Sequence, residues 1–148
     1  MLKAQSSTKS RRYPDRPVLG IGALIIEGNR ILLVERGREP LKGYWSLPGG
    51  ALETGETLAE GICREVLEET GLLVSPTRMF EIFERILRDD GGCAEYHYVL
   101  MDYLCEVTGG ALQAGDDVSK VAWFDRGALI GLRLTEGTLA VIERAFAA

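Results

Sequence analysis

The chain of 148 residues has one histidine, three cysteines and no excess of basic charge, and each shortage removes a class of protein. No apolar stretch approaches the roughly 18 residues of a membrane span. No apolar region follows the basic residues near the N-terminus as it does in an export signal. A cytoplasmic address with no membrane partner is expected. Cys63, Cys93 and Cys105 are odd in number and lack C-x-x-C spacing, so they read as reduced thiols. The net charge of −5 argues against nucleic acid as a partner, because a nucleic-acid-binding surface normally shows a basic face. An acidic chain still binds phosphates when a metal ion stands between them. There is no internal repeat and no low-complexity stretch.

What is present fits one globular domain, with 46% hydrophobic and 26% charged residues. Residues 1–16 carry five basic side chains against one acid and little apolar content. They are expected to form a flexible basic arm ahead of a single domain over 17–148. From Pro17 the pattern is that of β-strands. "VLGIGALIIEG" and "RILLVER" are expected to pair as a hairpin across Glu27–Gly28–Asn29. "MFEIFERILR" and "AEYHYVLMDYLCEV" flank a turn at Asp89–Gly92, and "KVAWFD" adds a shorter strand. "TEGTLAVIERAFA" has helical spacing, with Leu139, Ile142 and Phe146 on one side.

One further helix has its own start and stop signals. Thr57 and Glu60 form a capping-box pattern and Gly71 stands where a helix ends, so the expected span is 58–70. A helical wheel groups Leu58, Ala59, Ile62, Cys63, Val66 and Leu67 on an apolar face. Glu69, Glu65 and Glu68 follow one another over about 100° of arc beside that face, with Arg64 beyond them. Gly61 falls within the same arc, and a mid-helix glycine costs about 1 kcal/mol relative to alanine, so something there requires the space. Glu65 and Glu69, one turn apart, repel unless a cation lies between them. Hard carboxylate oxygens of this kind suit Mg²⁺ or Mn²⁺.

The preceding loop, "LPGGALETGE", holds Gly49, Gly50 and Gly55, whose freedom lets backbone N–H groups approach a phosphate. Together, Gly50, Glu56, Arg64, Glu65, Val66, Glu68, Glu69, Gly71 and Leu72 match G-x5-E-x7-R-E-U-x-E-E-x-G-U, where U is aliphatic. Seven fixed positions match by chance at about 10⁻⁸ per window. This segment resembles the Nudix box, without departure at any position. The resemblance implies an α/β Nudix fold, a mixed curved β-sheet sandwiched between α-helices. It implies a hydrolase cleaving a nucleoside diphosphate linked to another moiety. By position it makes Glu65, Glu68 and Glu69 the ligands of Mg²⁺ or Mn²⁺, with Arg64 and Glu56 orienting them. It leaves open which carboxylate accepts the proton of the attacking water.

Outside the box the signals are local. Asp116 and Asp117 are the carboxylates of a glycine-rich loop expected to close over the site and supply a proton acceptor or further metal ligand, with Glu95 in reserve. Arg36, Arg38 and Arg85 are candidates to touch a substrate phosphate, and Gly49 and Gly50 to line its path. His97 lies in an alternating strand and reads as structural or substrate-contacting. Tyr44, Trp45, Phe80 and Phe83 are candidates to stack on a base, although aromatic residues in strands are more often core. A nucleotide-derived small molecule is the expected partner, with a homodimer left open. ADP-ribose-like or sugar-nucleotide substrates are favoured by likeness. The alternatives are a house-cleaning nucleoside triphosphate pyrophosphohydrolase and, in another class, a nucleotide sensor without turnover.

Overall fold

In the computed structural model, which describes residues 11–148, the sheet is organised around β1 (Val18–Glu27). Six consecutive residues of β1, 20–25, are buried, as expected of a strand covered on both faces. Its first part pairs antiparallel with β4 (Gly49–Ala51) and parallel with β6 (Ala94–Gly110). β6 pairs in turn with the antiparallel edge strand β5 (Leu72–Arg88). At its far end β1 meets β2 (Arg30–Arg36), which pairs with β3 (Trp45–Ser46) and β7 (Val118–Asp125). The result is a mixed sheet of seven strands.

Two helices cover its faces. α1 (Leu58–Thr70) sets Ile62 and Val66 against Ile21, Ala23 and Ile25. α2 (Thr138–Ala147) sets Val141, Ile142 and Ala145 against Leu24, Ile31 and Leu33. Each large aliphatic side chain buried in this way contributes about 1.5–3 kcal/mol.

The capping box of α1 is formed: Glu60 N donates to Thr57 Oγ1 at 3.1 Å and Thr57 N to Glu60 Oε1 at 2.9 Å. Gly71 closes the helix at φ 78°. The apolar face is narrower than the wheel suggests, because Ala59 and Leu67 are exposed. Gly61 is buried, and the space it leaves is filled: a Cβ there would lie 2.6 Å from Ile21 Cδ1 and 3.0 Å from Leu52 Cδ1. The neighbours that need this glycine are the side chains of Ile21 and Leu52 and, at 3.1 Å, the Glu56 carboxylate. In α2, Leu139 points outward while Ile142 is buried.

Three strand expectations change. The β1–β2 hairpin amounts to two residue pairs, Ile26 with Ile31 and Glu27 with Arg30; the rest of β1 pairs with β4 and β6. β5 begins at Leu72, before Met79, and tolerates Pro76 through an irregularity between Pro76 and Arg78. "WSLPGG" supplies the two short strands β3 and β4. Of the basic arm expected over 1–16, residues 1–10 lie outside the described residues. Tyr13 N donates to Glu95 O and its hydroxyl to Asp89 Oδ2, both at 2.7 Å. Cys63, Cys93 and Cys105 are free thiols. Among the described residues no helix is long and apolar enough to cross a membrane.

Candidate active site

The Gly49–Thr57 segment and α1 are held together by one guanidinium. Arg64 Nη2 donates to Glu56 Oε1 at 2.9 Å and to Ala51 O at 3.1 Å, and its Nε donates to Glu56 Oε2. The hydrogen bonds to Arg64 keep the Glu56 carboxyl below the usual carboxylate range. Glu53 N also donates to Glu56 Oε1, at 3.0 Å, so the loop is fixed at both ends. The remaining Arg64 nitrogen, Nη1, reaches Glu65 Oε2 at 2.6 Å and Glu68 Oε1 at 3.4 Å. The two residues assigned to orientation thus connect the loop directly to two of the helix glutamates.

Glu65 and Glu69 differ from Glu68 in burial. The Glu65 side chain is 13% exposed and that of Glu68 44%. Glu65 lies across Gly50, where a Cβ would stand 2.6 Å from its Oε1. Glu69 Oε1 accepts from Gly49 N at 3.0 Å, which places both loop glycines under the carboxylates. Burial raises the Glu65 carboxyl, opposed by Arg64 and aided by the charges of Glu68 and Asp116. Burial likewise pushes Glu69 up to about 8, opposed by the Gly49 N–H and by Arg36 and aided by Glu65 and Asp116. Desolvated carboxylates that repel one another favour protonation or a cation.

The loop expected to close over the site is fastened to the end of α1. Gln113 N donates to Thr70 O at 2.8 Å, Ala111 N to Gly71 O and Gly115 N to Glu69 O, each at 3.2 Å. It holds Asp116 in the left-handed region at φ 56°, within electrostatic range of Glu65 and Glu69. Asp117 turns elsewhere: its carboxylate pairs with Arg38 Nε at 3.0 Å on the open surface. The two neighbouring aspartates, equal candidates in the sequence, are separated by the fold. Arg36 is within electrostatic range of Glu69, its Nε held by Pro40 O at 2.7 Å.

Other candidates are engaged differently. Glu95 pairs with Arg12 at 2.7 Å, and His97 stands opposite Ile86 in the β5–β6 ribbon. Trp45 packs edge-on against Phe124 at 4.8 Å, and Phe80 belongs to the same core beneath α2. Phe83 lies against Gly137, while Tyr44 sits 4.5 Å beneath the Arg133 guanidinium. Sequence reasoning missed Asp102, buried on β6 and pushed up to about 6 by burial with a smaller effect from Glu81. The signal was a lone acid within "YVLMDYLC".

The donor set fits a divalent cation. Glu65 and Glu69 are hard oxygen donors, desolvated and under mutual repulsion, and the lack of a Cβ at Gly50 lets the Glu65 carboxylate lie against the loop. Glu65 and Glu68 are turned toward Arg64, and among the described residues no three acidic, histidine or cysteine side chains are gathered as a ready-made ligand cluster.

Comparison with known proteins places this arrangement in a family. The NUDIX domain family model matches residues 16–144. An ADP-ribose pyrophosphatase of Methanocaldococcus jannaschii is 35% identical over 84% of this chain and 71% of its own length. An 8-oxo-dGDP phosphatase of Mus musculus is 30% identical over 72% of this chain, which spans 31% of that longer protein. Among solved structures, a MutT NUDIX hydrolase from Burkholderia pseudomallei superposes with a TM-score of 0.73 at 29% identity, over 87% of this chain and 98% of that one. The chain belongs to the Nudix hydrolase family, enzymes that act on pyrophosphate bonds.

Proposed function

We propose that this protein hydrolyses a nucleoside diphosphate linked to a second moiety, with ADP-ribose-like substrates favoured, and that it does so with Mg²⁺ or Mn²⁺. The observation that carries the reading is the burial of Glu65 and Glu69 against Gly50 and Gly49, on a helix that Arg64 braces to that glycine loop. The name of the Methanocaldococcus relative supports the substrate class.

In this reading Glu65, Glu68 and Glu69 hold the metal, which when bound neutralises the pyrophosphate and acidifies water. Water attacks one phosphorus: a new phosphorus–oxygen bond forms, the bridging bond breaks, and the leaving phosphate carries away the electron pair. Asp116 is the proton acceptor, since Asp117 is committed to Arg38. Gly49 and Gly50 line the phosphate path, and Arg36 supplies positive charge at its edge. Arg64 and Glu56 position the ligands without touching substrate.

The test is a nucleotide panel containing ADP-ribose, sugar nucleotides, nucleoside diphosphates and nucleoside triphosphates, with products identified, in Mg²⁺ and in EDTA. AMP plus ribose phosphate is the expected outcome. Nucleoside monophosphate plus pyrophosphate from triphosphates, with ADP-ribose untouched, would replace the substrate assignment. No turnover of any member would point to a sensor.

A further inference from the structure

The sheet leaves the outer edge of β5 open. β5 pairs with β6 alone, and among the described residues nothing bonds to its outer backbone over 79–88. Exposure alternates along this stretch: Glu81, Phe83, Arg85 and Leu87 are half-buried, while Ile82, Glu84, Ile86 and Arg88 face solvent. The half-buried set is engaged beneath α2. Arg144 Nε donates to Glu81 Oε1 at 2.9 Å, Phe83 lies against Gly137, and Arg85 Nη2 donates to Glu136 O. The outward set is not engaged in this way. Ile82 is 56% exposed and Ile86 39%. Among the described residues Glu84 has no ion-pair or hydrogen-bond partner, and Arg88 reaches no carboxylate, its Nη1 donating to Gly92 O at 3.0 Å.

We propose that the open edge of β5 docks a second copy of this chain, antiparallel, about a two-fold axis at Ile86. An edge strand is a template for pairing, and natural edges discourage it with proline or with charges that find no complement. β5 has no proline over 79–88, and its charges have a complement in a second copy of themselves. In a two-fold antiparallel pair, directly opposite residues share one face of the sheet, so the axis passes through a residue position. Axes at Glu84, Arg85 or Arg88 set like charges against each other. An axis at Ile82 sets Glu84 against Phe80, one at Phe83 sets Ile82 against Glu84, and one at Leu87 sets Glu84 against Asp90. The axis at Ile86 sets Ile86 against Ile86 and, twice over, Glu84 against Arg88 of the second copy. Aliphatic and opposite-charge pairs of this kind stabilise a sheet, whereas like charges directly opposite destabilise it. Of the axes between residues 82 and 88, this one alone matches both kinds of side chain on the exposed face. The proposal goes beyond the hydrolase reading, and none of these residues belongs to the candidate active site.

The experiment is analytical ultracentrifugation of the full chain over a series of concentrations. Wild type is expected to show a concentration-dependent equilibrium between monomer and dimer. E84R and R88E each turn both symmetry-related pairs from attraction to repulsion, and each is expected to raise the dissociation constant of the dimer about tenfold or more. The double variant E84R/R88E restores both pairs, as does an equimolar mixture of the two single variants, and both are expected to recover wild-type association. Loss in the single variants without recovery in the double variant and the mixture would overturn this pairing. A wild type that stays monomeric would overturn it as well, leaving the edge to a strand of another protein, and a dimer indifferent to E84R and R88E would place the interface elsewhere. Should R88E disturb the turn that Arg88 bonds at Gly92, E84R and I86K carry the decision. I86K sets two like charges on the axis, and undiminished association in either variant would overturn the proposal.

Discussion

Arg64 and Glu56 meet edge to edge, with Nε and Nη2 of the guanidinium each donating to a different oxygen of the carboxylate. The pair spans eight residues of sequence and closes the loop onto the helix it precedes. Removing Arg64 strands three acids at once, because Glu56, Glu65 and Glu68 all accept from it. Arg64→Ala is therefore expected to destabilise the fold by about 1–3 kcal/mol, the range for leaving partly buried polar groups unsatisfied. Urea denaturation checks this, and an unchanged midpoint would show that the loop is fastened by other means.

Metal binding is the outcome the proposed reading expects from the desolvation of Glu65 and Glu69. The metal-free chain is expected to fold on its Ile62 and Val66 face, and Mg²⁺ to raise its stability by mass action, by about 2.7 kcal/mol at a concentration one hundred times Kd. Thermal melts with EDTA and with increasing Mg²⁺ measure this directly. Glu69→Gln should lose most of the metal-dependent rise, and an equal rise in that variant would remove Glu69 from the ligand set.

Much of this was legible because the information was local. The capping box, the stop at Gly71 and the spacing of Glu65, Glu68 and Glu69 are all encoded within one short segment. Strand partnership is not. The apolar run of β1 is compatible with a hairpin to β2 or with a parallel neighbour, and it pairs with β6 from Val18 to Ile25, a choice made by total burial across the fold. Nor does the sequence distinguish Asp116 from Asp117. What divides them is a left-handed residue and three backbone hydrogen bonds to the end of α1. Gly61 shows the same division: the sequence reveals that something requires its space, but not that Ile21 from another strand, with Leu52 and Glu56, is what fills it.

That separation gives a sharp expectation for the loop. Asp116→Asn should lower kcat by roughly 10²–10⁴-fold, the range for loss of a general base, with little change in KM. Asp117→Asn breaks an exposed pair with Arg38, an interaction worth about 0–1 kcal/mol, and should change kcat far less. Steady-state kinetics at saturating Mg²⁺ decide the matter. Equal losses in both variants would mean that the loop acts as a unit.

Asp102 predicts a pH dependence with a defined sign. Its carboxyl is raised from 3.8 to about 6, chiefly by burial, so between those values the folded chain holds a proton that the unfolded chain releases. Stability from this group is complete below pH 4 and is lost as pH rises through about 6. Asp102→Asn, which keeps the shape without the charge, should gain stability relative to wild type as pH increases from 4 to 7. Chemical denaturation of both proteins at several pH values tests it. A stability difference that stays flat across this window would mean that Asp102 remains ionised in the fold.

Gly50 connects backbone geometry to the site most directly. A Cβ at this position would stand 2.6 to 2.7 Å from the carboxylate atoms of Glu65, too close for either to remain. Those atoms end a flexible side chain, so in Gly50→Ala the carboxylate moves and the fold is preserved. Circular dichroism and the melting temperature should therefore stay near wild type in EDTA. Affinity for Mn²⁺ and kcat should each fall by about tenfold or more, as is typical when a group orienting metal ligands is disturbed. Manganese titration followed by electron paramagnetic resonance separates the two effects. Wild-type affinity for Mn²⁺ in Gly50→Ala would show that Glu65 can hold the ion from elsewhere, and that the glycine serves only the pairing of β4 with Ile21 on β1.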